Sequence, residues 1–324
     1  MGVLRSVIFA LGISAIAAAQ TPCSPTPTYS TCDIVFELND HEATQHPQPY
    51  LTVQLQAEFR SPRKRTFLMP AFWDGGHRLV IRFAPIEAGE WDYRVTSNVP
   101  RLDGVLGKFT AVESGHPGFI RPANVHHWAY SGSGKPHLWM GDTNYRFAEM
   151  DGNLFERFVM ERARQKFNHL RGSVLGFSPE AVARAIPAPD QPNPEWFREV
   201  DRRIRFLNQH GITADLVLAG DQNHLVNLFP TWQQRERYVR YLVARYSAMN
   251  ITWQGVQEFE EYKEGRALLK EIGGLLKRLD PYDHPRSTHT TATSAPLLAD
   301  GWMTYITYQS SDQQLGAIEH QLYP

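Results

Sequence analysis

Apolar and polar residues alternate along the first third of the chain. Leu51, Val53, Leu55, Ala57 and Phe59 make one such run, Leu79, Ile81 and Phe83 a second, and Trp91, Tyr93 and Val95 a third. A period of two buries one face of a strand and leaves the other in water. Asp74-Gly75-Gly76 and Ala88-Gly89 supply turn residues between the runs. Close-set strands and turns from about Tyr29 to Val112 predict an antiparallel β-sandwich of immunoglobulin-like size, assigned to residues 20–114.

After a connector at Gly115 to Pro122 the pattern changes to strands alternating with amphipathic helices, which predicts βα units around a parallel sheet. Six strands are expected: His137 to Gly141, Asn168 to Leu175, Thr213 to Leu218, Ile251 to Val256, Arg286 to Thr290 and Met303 to Tyr308. The helices show apolar faces at Phe197, Val200, Ile204 and Leu207, then Val239, Leu242, Val243 and Tyr246, then Leu268, Leu269, Ile272, Leu275, Leu276 and Leu279. Asn193-Pro194 and Thr231 with Gln234 read as helix starts, and Gly211 as a stop. No glycine-rich dinucleotide fingerprint follows the first strand, so a TIM-type barrel fits better than a doubly wound sheet. From Gly118 onward there are about 207 residues, against about 250 for a full eightfold barrel. The expectation is a multidomain chain: the sandwich, then an incomplete (β/α)8 barrel over residues 115–324 that lacks its last two βα units.

Composition narrows the function. With 33 basic against 34 acidic residues and a net charge of -1, no face is basic enough to attract nucleic acid. Arg5 precedes an apolar run from about Val7 that ends in Ala17-Ala18-Ala19. This reads as a signal peptide over residues 1–19 and a secreted or periplasmic protein. No later apolar stretch reaches the roughly 20 residues of a membrane helix, so no membrane anchor is expected. Cys23 and Cys32, the only cysteines, are expected to form a disulfide in that compartment, the alternative being two thiols in a leader. Neighbouring His126 and His127 would point to opposite faces of a strand, so neither a metal nor a cofactor is expected.

In TIM barrels chemistry sits where strands end. The fourth strand leads into Gln257-Glu258, followed by Phe259-Glu260-Glu261-Tyr262. A carboxylic acid there suits glycoside hydrolysis, in which one carboxyl group protonates the leaving oxygen and a second attacks the anomeric carbon or activates water. Glu258 is the first candidate for that acid/base. Glu260 and Glu261 are its rivals should the strand end later, and a solvated acidic loop is the bland alternative. Trp128, Trp139, Trp253 and Tyr145 are aromatic candidates for stacking on sugars, although core packing is the commoner use of such rings.

The Gln257-Glu258 pair resembles the strand-four signature of clan A glycoside hydrolases, where Asn-Glu ends the strand and Glu is the acid/base. Gln257 stands in place of that Asn and offers the same amide groups. Gly141-Asp142-Thr143, Phe167-Asn168-His169-Leu170-Arg171 and Asp280-Pro281-Tyr282-Asp283-His284-Pro285 together resemble apiosidase-like glycoside hydrolases. Phe72-Trp73-Asp74-Gly75-Gly76, Ile81-Arg82-Phe83-Ala84-Pro85 and Gly89-Glu90-Trp91 resemble the uncharacterised β-sandwich module that often precedes such barrels.

The resemblance implies that Gln257 and Asp142 bind substrate, that Arg171 and Tyr308 position the catalytic carboxylate, and that His289 lines the cleft. Asp142 has an alternative as a helix cap, and Arg171 and His289 as structural groups. The family's nucleophile is a Glu at the end of strand seven, a strand this sequence does not reach, and Glu319 lies in a segment without strand pattern. Two functions are therefore carried forward. One is a secreted glycosidase acting on plant or microbial polysaccharide by a two-carboxylate retaining mechanism, its nucleophile missing from this chain. The other is a noncatalytic carbohydrate-binding or surface protein. Oligomeric state, sugar and linkage are left open.

Overall fold

The structure, a computed structural model, describes residues 23, 25–124, 127–220 and 224–322. The segment read as a signal peptide and His126 lie outside the described residues.

Eight strands form two sheets in the first region. β1 (Thr26–Pro27), β8 (Leu106–Val112), β7 (Gly89–Ser97), β3 (Leu55–Arg60) and β4 (Thr66–Pro70) lie side by side in that order. The second sheet has the order β2 (Cys32–Glu37), β6 (Arg78–Phe83), β5 (Phe72–Trp73). Helices α1 (Asp40–Gln45) and α2 (Pro49–Thr52) lie between β2 and β3. The alternation read from sequence places Leu55, Ala57 and Phe59, and also Trp91, Tyr93 and Val95, in one buried core with Ile34, Ile81 and Phe83 of the other sheet. Phe59 stacks on Phe83 across that core with centroids 4.0 Å apart. Leu51 and Val53 fall outside the strand because Pro49 starts the one-turn α2 there. Cys23 and Cys32 form a disulfide, their Cα atoms 5.5 Å apart.

A small antiparallel sheet follows, of β9 (Ile120–Asn124), β10 (His127–Tyr130) and β11 (Pro136–His137). The parallel sheet comes next, in sequential order β12 (Gly141–Thr143), β13 (His169–Ser173), β14 (Thr213–Ala219), β15 (Ile251–Val256) and β16 (Arg286–Ser287). Helices α3 (Gly152–Arg164), α4 (Pro179–Ala185), α5 (Pro194–Gln209), α6 (Leu225–Leu228), α7 (Trp232–Tyr246), α8 (Gly265–Leu279) and α9 (Gln313–Leu322) complete this region. Two of the six expected strands need correction. His137 pairs with Trp128 in the antiparallel sheet, so the first parallel strand starts at Gly141. Met303 to Tyr308 makes no strand among the described residues. Thr304 donates one backbone bond to Arg286 and Tyr308 makes an isolated bridge to Thr293. That segment has too little apolar alternation to hold an extended ladder.

Helix starts follow their local chemistry. Asn193 accepts from the Glu195 amide with Pro194 in the first turn, and Thr231 with Gln234 closes a capping box. Gly211, at φ +73°, follows the end of α5. Ala214, Leu216 and Leu218 of β14 join Ile251 and Trp253 of β15 in the core beneath the helices. The alternate positions, Thr213, Asp215, Thr252 and Gln254, turn to the concave side and are buried there.

The two regions are locked together. Phe72 and Val80 of the first pack into the core of the second. Arg82 binds Asp33 at 2.7 Å and Asp201 at 3.0 Å, and Arg245 binds Asp201 at 2.7 Å and Asp74 at 3.0 Å. The Asp280 to Pro285 stretch is a second bolt. The Asp280 carboxylate accepts from Trp253 Nε1 and from the His284 ring, both at 2.9 Å, while the Tyr282 hydroxyl meets the Ala84 backbone at 2.7 and 3.0 Å.

Candidate active site

β15 carries the chain to the mouth of the parallel sheet. Gly255 near its end lets α8 pack close, since a Cβ there would sit 2.5 Å from the Leu269 side chain. Beyond Val256, the Gln257 amide donates to the Ala219 carbonyl at the end of β14, and the Glu258 amide donates to the His289 carbonyl, each at 3.0 Å. Glu258 itself is left-handed, at φ 49° and ψ 57°. A non-glycine residue pays for that conformation with about 1 kcal/mol or more, a cost met most often at functional positions. The turn Phe259–Glu261 then leads the chain away.

The mouth groups are close together. Glu258 Oε1 lies 3.8 Å from His289 Nδ1, with the carboxylate part-exposed and the imidazole buried. The Tyr145 ring meets the His289 ring edge-on at 6.1 Å and stacks on Phe177 at 5.9 Å. Gln257 is buried, and its Oε1 has no hydrogen-bond partner among the described residues. A buried acceptor in that state is stabilised by whatever donor reaches it, such as a hydroxyl.

One layer deeper, Arg171 of β13 donates to Asp215 of β14 at 2.7 Å. Asp215 also accepts from Thr252 Oγ1 at 2.7 Å and from Gln254 Nε2 at 3.2 Å, and Gln254 donates on to the Tyr305 hydroxyl at 2.6 Å. Burial opposes the charge of Arg171, but Asp215 outweighs it and raises the guanidinium above its ordinary value. Burial, reinforced by Asp215, pushes the Tyr305 phenol well up and keeps it neutral. Asp215, Gln254 and Tyr305 escaped the sequence reading. The available signal was a carboxylate inside the apolar run of β14, which calls for a cationic partner on a neighbouring strand.

Of the residues named from sequence, the structure brings Gln257, Glu258 and His289 together, with Tyr145 against them and Arg171 below. Glu260 Oε1 instead accepts from the Thr291 amide. Asp142 is paired with Arg162 of α3, on the helix side of the sheet. The Tyr308 hydroxyl donates to the Asp312 carbonyl. Glu319 accepts from Thr293 at 2.8 Å. Trp253 is core, while Trp139 stacks on His169 at 3.7 Å and, with Trp128, packs about Tyr305. Among the described residues no three His, Cys, Asp or Glu side chains group as a metal site, and no helix is long and apolar enough to cross a membrane.

Residues 126–323, more than half of the chain, match the family described as Apiosidase-like, catalytic domain. The chain belongs to the apiosidase-like family. Residues 26–98 match a domain of unknown function (DUF5060). Among solved structures, a candidate glycoside hydrolase from Bacteroides vulgatus ATCC 8482 is similar with a TM-score of 0.70 and 22% identity, covering 82% of this chain and 56% of its own. A glycoside hydrolase family 5 protein from the same organism gives a TM-score of 0.45 at 17% identity, covering 57% of this chain and 43% of its own. A family 5 mannosidase from Rhizomucor miehei also gives 0.45, at 14% identity, covering 57% and 59%. The chain thus spans about half the length of these proteins. No curated protein matches the sequence. The first likeness supports a glycoside hydrolase-like fold with a TIM-type second region.

Proposed function

We propose that this chain is a secreted glycoside hydrolase acting on plant or microbial polysaccharide, with Glu258 as general acid/base. In this reading residues 1–19 are an export signal, the two paired sheets are a β-sandwich, and the five-stranded parallel sheet belongs to a TIM-type barrel. The carrying observation is the Gln257-Glu258 exit of β15. There the chain holds a part-exposed carboxylate in a left-handed conformation beside His289, next to a buried amide oxygen with no donor among the described residues.

The chemistry follows from those groups. Protonated Glu258 delivers its proton to the glycosidic oxygen as the bond to the anomeric carbon breaks, and as carboxylate it later takes a proton from the incoming water. Gln257 Oε1 accepts from a sugar hydroxyl and fixes the ring relative to Glu258. Arg171 is held by its ion pair with Asp215, a neutral pair that orders the floor of the site below Glu258. Retention needs a second carboxylate about 5–5.5 Å from the first, and no residue of this chain is assigned that role.

In a chain that also supplies the second carboxylate, Glu258→Gln is expected to lower polysaccharide turnover about 10²- to 10⁴-fold while unfolding stays unchanged. Turnover equal to that of the parent would end the acid/base assignment. The competing role is noncatalytic carbohydrate binding, favoured if a folded sample retains glycan without releasing sugar.

A further inference from the structure

A cavity of about 630 Å³ lies away from the mouth, between the first region and α7, lined by Tyr50, Trp73 and Gln54 on one side and by Gln233, Glu236 and Arg240 on the other. Its volume is within the range of roughly 300–1,000 Å³ common to small-ligand sites. We infer that this cleft is an accessory subsite for a neutral oligosaccharide segment, an inference that rests on the carbohydrate-active reading of the chain.

The aromatic wall is fixed before any ligand arrives. Tyr50 meets Tyr241 edge-on at 5.6 Å and lies 6.3 Å from Trp73, while the Arg237 guanidinium sits 6.0 Å from the Tyr50 ring centroid. The Trp73 indole N–H is used up on the Gly76 carbonyl at 2.8 Å, so the indole offers ring surface rather than a donor. Both rings are half-buried. A rigid, part-covered aromatic wall suits the apolar C–H face of a sugar and costs little side-chain entropy to use.

The facing side is polar and balanced. Gln233, Glu236 and Arg240 fall on one stripe of α7, three and four residues apart, and span about 10 Å along the helix. Arg240 is half-exposed and reaches Glu236 only at 4.0 Å. Its guanidinium donors, the Glu236 carboxylate and the Gln233 amide together match hydroxyl groups, which both donate and accept. Arg240 stands beside Glu236, and Arg237, also in the lining, is paired with Asp190, so the rim is close to neutral, which favours an uncharged sugar over a carboxylated one. Helix α7 follows β14 and precedes the parallel β15, so its first turns lie toward the same end of the sheet as Gln257 and Glu258. A polymer engaged at the mouth has this cleft on the same end of the molecule.

Isothermal titration of the whole chain with mannohexaose, xylohexaose and cellohexaose tests the inference. At least one hexaose is expected to bind, with Kd raised about ten-fold or more in Trp73→Ala and again in the double variant Gln233→Ala/Arg240→Ala. The double variant changes only exposed positions on α7, so it reports even if Trp73→Ala fails to fold. Absence of binding by all three hexaoses, or a Kd within two-fold of the parent in the double variant, would overturn the subsite. Heat of binding is read independently of turnover. A Glu258→Gln chain that still hydrolyses polysaccharide would sink the catalytic assignment without touching the cleft, and the converse holds for the double variant.

Discussion

The junction between the two regions pairs arginine with carboxylate, the mouth of the parallel sheet sets a carboxylate beside histidine, and the two serve opposite ends. At the junction the pairing is saturated. Arg82 reaches Asp33, Asp201 and the Arg245 carbonyl, and Arg245 reaches Asp201, Asp74 and the Tyr241 hydroxyl, all within 2.7–3.0 Å. Arg198 and Arg205 close the rim on Asp74 and Asp33. Burial alone would raise the Asp33 carboxyl, but Arg82 and Arg205 outweigh it and hold it below its ordinary value. At the mouth Glu258 is part-exposed and the Gln257 oxygen has no donor among the described residues. A saturated network holds surfaces together, whereas a site must keep unspent hydrogen-bonding capacity for what it binds.

The largest effect is expected at the junction. Arg245→Ala would leave the buried Asp201 with Arg82 alone and Asp74 with Arg198 and Arg78 at the rim, and cost about 3–5 kcal/mol, seen as a lowered urea midpoint. A loss below about 1 kcal/mol would mean that water relaxes into the network and that the junction is looser than its geometry. Arg171→Ala is expected to cost less, about 3 kcal/mol, since Asp215 keeps Thr252 and Gln254 as donors. It should also lower turnover. Equal turnover in a folded variant would make Arg171 a purely structural group.

A smaller effect is set by pH at the base of the parallel sheet. His137 Nε2 and His169 Nε2 lie 2.8 Å apart, so they share a single proton. Burial, then His137 and Arg171, hold the His169 imidazole well below its ordinary value, and burial lowers His137 as well. The unfolded chain therefore binds more protons than the folded one below about pH 6.5. Stability is whole above that pH and falls as pH drops beneath it, by up to about 1.4 kcal/mol per pH unit for each such group. Thermal unfolding from pH 7.5 to 5 should show this slope, and His169→Gln should flatten it. The smallest effect belongs to Asp142→Ala, which removes a part-exposed pair with Arg162 and should cost about 0.5 kcal/mol. A large loss of turnover there would return Asp142 to the substrate-binding role that the family resemblance implied.

Local features were legible in the sequence. Thr231 with Gln234 and Asn193-Pro194 mark helix starts because a cap is made within three residues. β14 and β15 are legible because each carries an apolar-rich run. The exit of β15 could then be found by counting, and Glu258 with it. What stayed hidden was non-local. Arg82 meets Asp201 across 119 positions and Arg245 meets Asp74 across 171, and neither spacing leaves a periodic trace. Asp215 and Tyr305 belong to the same class, since their meaning depends on which strands become neighbours. The short β12 and the Met303 to Tyr308 segment differ from the sequence expectation because two or three apolar residues do not distinguish a strand from a loop.

The charged junction also bears on how such a chain can be recombined. A barrel grafted onto a different leading domain would inherit Arg245 and Asp201 with no Asp74 or Arg82 opposite them. A leading domain moved alone would carry Arg82 to a surface where its second acid is gone. Each half is therefore a poor donor part by itself. The heritable unit is the pair, and a designer who wants to exchange either half must first replace the junction charges with apolar residues of matching volume on both sides.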